Sequence, residues 1–192
     1  MPTPPLIVIG TSAGGVSALS PLLGGLPNDL NAPVCIARHA DPTRASLLPQ
    51  ILSRVGTLTV APFQSGAPLL PGHLFVAPAG HHLLIEHTQV RVLQERPKRP
   101  RDDIDRLFHS IGCCLVWLPD HCRDPDREID RWDSGLANRQ AAGGTTIIQD
   151  PEEAAFPSMP QSAQARCAID YCLTLAHIVL LLPRLLGDMA SH

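Results

Sequence analysis

Chemistry in this chain is first suggested by the run Gly10-Thr11-Ser12-Ala13-Gly14. It satisfies G-x-S-x-G directly after an apolar run, Leu6-Ile-Val-Ile9, and directly before a helical stretch. That context is what a nucleophilic serine on a strand-to-helix turn requires. So tight a turn forces unusual backbone angles, which is why small residues flank the serine. It lifts the hydroxyl out at the carboxyl edge of an open sheet, where such folds build their sites. Amide N–H groups at the start of the helix can then stabilise an oxyanion. A phosphate-binding glycine turn, or a plain tight connection, explains the same five residues. Gly10, Gly14 and Gly15 do not form G-x-G-x-x-G, and no Gly-Lys-Ser/Thr follows, which weakens the nucleotide readings.

A serine hydroxyl needs a base to take its proton, and histidine suits that task near neutral pH. Of the nine histidines, His39 directly follows a second apolar run, Val34-Cys-Ile-Ala37, and its Arg38. If that strand lies beside the first, Ser12 and His39 emerge at one edge of the sheet. His81 and His82, read as loop residues near Leu83–Ile85, are weaker candidates. His73, His87, His109 and His177 read as surface or packing residues.

The elements that must hold these groups alternate in type. Strands are expected at 6–9, 34–37, 58–60, 74–76 and 145–148, with a hairpin of Leu83–Ile85 and Val90–Val92 around His87-Thr88. Helices are expected over about 16–23 and 43–53, from Asp102 or Asp103 through Ile111, and around 161–167 and 175–186. The alternation implies an α/β fold: a doubly wound, mostly parallel sheet with helices on both faces. With 192 residues, 44% of them hydrophobic, the chain suits one domain, residues 1–192.

The formal net charge of −3 argues against a nucleic-acid partner. The basic cluster Arg96 to Arg101 is answered at once by Asp102, Asp103 and Asp105, as in a solvated loop. The amino terminus lacks the pattern of a secretory signal, and no apolar run is long enough to span a bilayer. A cytoplasmic protein with six reduced cysteines is therefore expected. Cys113, Cys114, His121 and Cys122 match no standard zinc spacing, so neither a metal nor a cofactor is expected.

Several longer stretches resemble the catalytic domain of the CheB-type chemotaxis receptor methylesterases. They are Ile9-Gly-Thr-Ser-Ala-Gly-Gly15, the strand ending in His39, and Gly66-Ala-Pro-Leu-Leu-Pro-Gly-His-Leu-Phe-Val-Ala-Pro-Ala-Gly-His-His-Leu83. Asp105-Arg-Leu-Phe-His-Ser110, Gly143-Gly144, Gln149-Asp-Pro151 and Pro157-Ser-Met-Pro160 follow in the family's order. The resemblance implies hydrolysis of glutamate methyl esters on chemoreceptors, and often deamidation of receptor glutamines. Ser12 would be the nucleophile and His39 the general base, with a methylated chemoreceptor as the partner. The family's receiver domain does not precede Leu6, so control is expected from a partner in trans, if at all. A general α/β-hydrolase fits less well, because there the histidine comes late in the chain.

One stretch departs from the family. Its third catalytic residue normally follows a strand, within Thr/Ser-Gly-x-x-x-Asp-Gly. Residues 113–133 here read Cys-Cys-Leu-Val-Trp-Leu-Pro-Asp-His-Cys-Arg-Asp-Pro-Asp-Arg-Glu-Ile-Asp-Arg-Trp-Asp. Counting forward from Leu107 places the acid at Asp130. Counting back from Gly143 places it at Arg131, with Asp133 close by. A run so charged cannot form a central strand without burying unpaired charge. No useful strand is expected in it, and a gap in the sheet is. The resemblance is lost and regained at nearly constant length, as a local change of reading frame, corrected downstream, would leave it. Two readings follow: an esterase using Ser12, His39 and Asp130, or an impaired family member that only binds receptors or partners.

Overall fold

In the computed structural model, residues 5–11, 16–38, 46–61, 64, 66–78, 81–86, 89–94, 114–118, 145–166 and 168–189 are described. Strand β1 (Leu6–Thr11) is aliphatic from Leu6 through Ile9 and buried along its whole length, as expected in the middle of a sheet covered on both faces. Helix α1 (Val16–Gly25) follows, then β2 (Val34–Arg38), α2 (Leu48–Val55), β3 (Thr59–Ala61), β4 (Ala67–Pro68) and β5 (His73–Val76). The hairpin β6 (His81–Glu86) and β7 (Gln89–Gln94) comes next. Among the described residues there follow β8 (Cys114–Leu118), β9 (Thr145–Gln149), α3 (Ser158–Arg166), β10 (Tyr171–Leu173) and α4 (Leu175–Met189).

Seven strands form one sheet in the order β10-β9-β8-β1-β2-β5-β3. β1, β2, β5 and β3 pair in parallel, as do β9 and β10. This is the α/β class expected. The hairpin pairs with β4 in a separate three-stranded antiparallel sheet. His81 and His82 therefore belong to a strand rather than to a loop.

Alternation along the strands divides the core. Ile7, Ile9, Val34, Ile36, Leu74, Val76 and Ile147 share a cluster with Leu19, Leu22 and Leu23 of α1, Leu52 of α2 and Ile178 of α4. Their neighbours Leu6, Val8, Cys35, Phe75 and Ile148 are equally buried. Each such aliphatic side chain contributes roughly 1.5–3 kcal/mol when fully withdrawn from water. Turn chemistry aligns β5: Gly72 has φ +70°, its N–H donates to the Ala32 carbonyl, and its carbonyl accepts from Thr59 N–H. Position 72 thus connects β3 and β5 to the loop before β2, in a conformation that favours glycine.

The expected gap is not there. Cys114–Leu118 forms β8 between β1 and β9, antiparallel to both. The apolar half of the anomalous stretch, Cys-Leu-Val-Trp-Leu, has the composition of a strand once it is separated from the charges that follow. The expectation of no strand in 113–133 is corrected accordingly. β8 is the one member of the seven-stranded sheet running against the rest. The expected helix from Asp102 lies outside the described residues.

Candidate functional site at the carboxyl edge of the sheet

Parallel strands bring their carboxyl ends to one edge. In the pairing of β1 with β2 the partners run from Ile7↔Val34 to Thr11↔Arg38. Both strands end at that last pair. Ala77 N–H donates to the Ile36 carbonyl at 2.9 Å, continuing β5 along the same edge. Adjacent strands lie about 4.8 Å apart. Ser12 and His39 are the residues next in sequence after Thr11 and Arg38. They and Asp130 lie outside the described residues, as does Asp133.

β9 and β10 form the far side of this edge. Gln149, the last residue of β9, is only 6% exposed, and its Nε2 donates to Glu153 Oε2 at 3.0 Å. The same carboxylate oxygen accepts the N–H of Leu175, the first residue of α4, at 2.7 Å. Thr174 Oγ1 accepts from His177 N–H at 3.5 Å, in the position of an N-cap. A negative charge where helix donors lack partners is favourable. One carboxylate thus couples a buried amide of the sheet edge to a helix start. Glu153 was not singled out from sequence, although the landmark Gln149-Asp150-Pro151 directly precedes it.

β8 runs the other way. Its first residue, Cys114, pairs with Gly10, and its last, Leu118, pairs with Leu6. The chain therefore leaves β8 at the amino edge, opposite Thr11 and Arg38. The twelve residues from Leu118 to Asp130 have an extended reach of about 40 Å, enough to return across the sheet. Across from Val116 in β9, Thr146 is fully buried, and among the described residues its Oγ1 has no hydrogen-bond partner.

Cys35 and Cys172 are free thiols. Burial pushes the Cys35 thiol up to about 12. The exposed Cys172 is raised by desolvation and by the charge of Asp150, against a hydrogen bond from Gln164 that lowers it. Neither carries the features of an activated nucleophile. No cluster of His, Cys, Asp and Glu among the described residues could hold a metal. No described helix is long and apolar enough to cross a membrane.

Comparison with known proteins gives a consistent result. The CheB methylesterase family model matches residues 7–115 and 133–182. A "protein-glutamate methylesterase/protein-glutamine glutaminase 2" of Anaeromyxobacter dehalogenans is 31% identical over 191 residues, covering 96% of this chain and 53% of that protein. A "putative protein-glutamate methylesterase/protein-glutamine glutaminase" of Leptospira interrogans is 30% identical over 190 residues, with 93% of each chain covered. This chain thus spans about half the length of the first relative and nearly all of the second. The crystal structure of the Thermotoga maritima CheB methylesterase catalytic domain superposes with a TM-score of 0.70. That likeness, at 22% identity, covers 95% of this chain and 99% of the other.

Proposed function

The chain belongs to the CheB methylesterase family, and on that premise we propose that it hydrolyses glutamate methyl esters on chemoreceptors, with Ser12 as nucleophile and His39 as general base. The observation that carries the reading is the shared end of β1 and β2 at Thr11 and Arg38. A serine and a histidine that directly follow two register partners start from adjacent points on one edge, about one strand spacing apart.

In this reading Ser12 Oγ bonds to the ester carbonyl carbon while the His39 ring takes its proton. The carbonyl electrons move onto oxygen, giving a tetrahedral oxyanion that amides at the start of α1 can stabilise. Collapse breaks the bond to the methoxy group, which leaves as methanol with the proton from His39. Water then attacks the acyl-enzyme by the same route and frees the receptor glutamate. An acid, with Asp130 the candidate in the chain as written, would orient His39 and stabilise its imidazolium. Replacing the methoxy group by an amine makes the same steps a deamidation of glutamine. No cofactor enters, and the chemistry suits a cytoplasmic enzyme acting on the receptor's inner portion.

The test is methanol release from a methylated receptor fragment. Wild type should turn over, and Ser12→Ala should lose at least about 1,000-fold in rate. Turnover unchanged in Ser12→Ala would overturn the assignment. The second reading, a family member that binds receptors or a regulatory partner without turnover, is favoured by the reversed β8. It predicts a folded wild type that binds the fragment and releases no methanol.

A further inference from the structure

We infer that residues from about 117 to about 140 are the translation, one nucleotide out of step, of a coding stretch whose proper frame specifies a parallel central strand and a glycine-aspartate loop. The inference rests on the family membership, and its consequence for catalysis rests on the proposed esterase reading.

Two anomalies meet at one place in the chain. The first is structural: β8 runs against β1 and β9 in the middle of a sheet whose other strands are all parallel. Doubly wound sheets join such strands by crossovers, and a reversed strand is ordinarily confined to an edge. The second is compositional. The family match stops at 115 and resumes at 133, while relatives align along nearly the whole chain. Residues 119–133 hold five Asp, three Arg and one Glu, nine charges in fifteen positions, against 17% for the whole chain. Length is kept while character is lost, so the nucleotides remain and their grouping has changed.

The genetic code permits a direct check. Let each new triplet take the last two bases of one codon and the first base of the next. Aspartate and histidine codons both have A in second place and a pyrimidine in third. In this context their shifted triplets therefore read isoleucine or threonine, whichever synonymous codons are used. Asp120, His121, Asp124 and Asp126 all convert in this way, and Cys122 converts to alanine or valine. Five of the seven positions from 120 to 126 are thus forced to be β-branched or small, a strand composition. Trp132 has a single codon, and with the G that begins the Asp133 codon it becomes glycine without alternative. Arg131 before that tryptophan can become aspartate, and Arg127 can become glycine.

The shifted frame therefore accommodates Thr-Gly-x-x-x-Asp-Gly over positions 126–132, with the spacing the family pattern needs. The other frame cannot, because it places leucine, methionine or valine directly before the glycine at that point. A strand over 120–126 running parallel to β1 would end at the edge of Thr11, Arg38 and Gln149. Its aspartate, in place of Arg131, would then lie at that edge without the return journey Asp130 must make from Leu118.

Sequencing this gene tests the inference, because it commits to particular codons. Asp126 must be GAC, Arg127 must end in G, and Arg131 must end in A. Any other base at one of these three places overturns it, as does a stop codon in the shifted frame between 117 and 136. The second arm expresses the chain as written beside a frame-restored one. The restored gene has one base removed between the codons for Ser110 and Trp117, and one added between those for Leu136 and Gly143. Methanol release from a methylated receptor fragment should be at least 100-fold faster for the restored chain. Matching codons with a restored chain that folds but releases no methanol would leave the frame inference standing and defeat the esterase reading.

Discussion

Thr11 and Arg38 are register partners at the point where β1 and β2 both end, so two chain segments carrying a serine and a histidine depart from neighbouring backbone positions. Below them Ile9 pairs with Ile36, and both side chains are fully buried against the helices. The position of the proposed chemistry thus depends on the packing of one pair of strands. A shift of one residue between them would displace Arg38 from Thr11 and turn every apolar side chain of β2 to the opposite face.

Truncating Ile36 therefore tests stability and site geometry together. Ile36→Ala should cost about 2–5 kcal/mol, and Ile36→Val about 0.5–1.5 kcal/mol. Urea unfolding measures both. An alanine variant within 0.5 kcal/mol of wild type, taken as an approximate limit for a surface change, would mean that the pair does not hold the strands.

The contact of α1 with α4 is tight at one point. A Cβ built on Gly25 would lie 2.8 Å from Val179 Cγ1 and 3.0 Å from Cγ2. Gly25→Ala should therefore destabilise by about 1–3 kcal/mol, more than the helical preference of alanine returns at the last position of α1. Adding Val179→Ala should relieve the clash, so that the double variant loses less than the two single losses summed. Additive losses in thermal or urea unfolding would count against the contact.

The central strands were legible because β1 and β2 are apolar runs ending at Gly10-Thr11 and at Arg38, and β9 is a β-branched run ending at Gln149-Asp150. Burial on both faces favours such runs. β10 escaped notice since Tyr171–Leu173 is short and largely exposed, and β4 since it has two residues. β8 is hidden for a different reason: its five apolar residues directly precede a stretch with nine charges, which masks their strand composition. Of the candidate site, Ser12 and His39 are proposed from a turn motif, a strand end and a family resemblance, and both lie outside the described residues. The acid is less defined in the sequence, because counting forward and counting back along the chain end one residue apart, at Asp130 and Arg131.

Glu153 connects Gln149 to the first turn of α4, so its charge should matter to both. Glu153→Ala removes the acceptor of the Gln149 amide and of Leu175 N–H. The expected loss is about 1–2 kcal/mol, near the upper range for a helix cap, since a buried amide loses a partner as well. Glu153→Gln keeps an oxygen and should recover about half. Equal losses for the two variants would show that the acceptor is not what counts.

Thr146 makes the opposite prediction. Its buried Oγ1 has no partner among the described residues, so the hydroxyl is desolvated without return. Thr146→Val keeps the shape and should stabilise by about 1 kcal/mol. A loss of similar size on urea unfolding would show that the hydroxyl has a partner after all.

The thiols of Cys35 and Cys172 separate by accessibility and by pH. Raising the Cys35 thiol from 9.0 to about 12 leaves about 10³-fold less thiolate near neutral pH than an unperturbed cysteine would have. A maleimide should therefore modify Cys172 in the native protein and leave Cys35 untouched until unfolding, as peptide mass spectrometry would show. The same shift fixes a stability trend. Above about pH 9 the unfolded chain releases the Cys35 proton while the folded chain keeps it, so the unfolded state binds fewer protons and stability falls with rising pH. The contribution of Cys35 is thus flat from pH 6 to 8 and declines between about 9 and 12. Urea unfolding of wild type and Cys35→Ala across that range isolates it: wild type should lose stability faster than the variant. Parallel curves would mean that Cys35 ionises as easily in the folded sheet as in the unfolded chain, which its complete burial between β1 and β5 forbids.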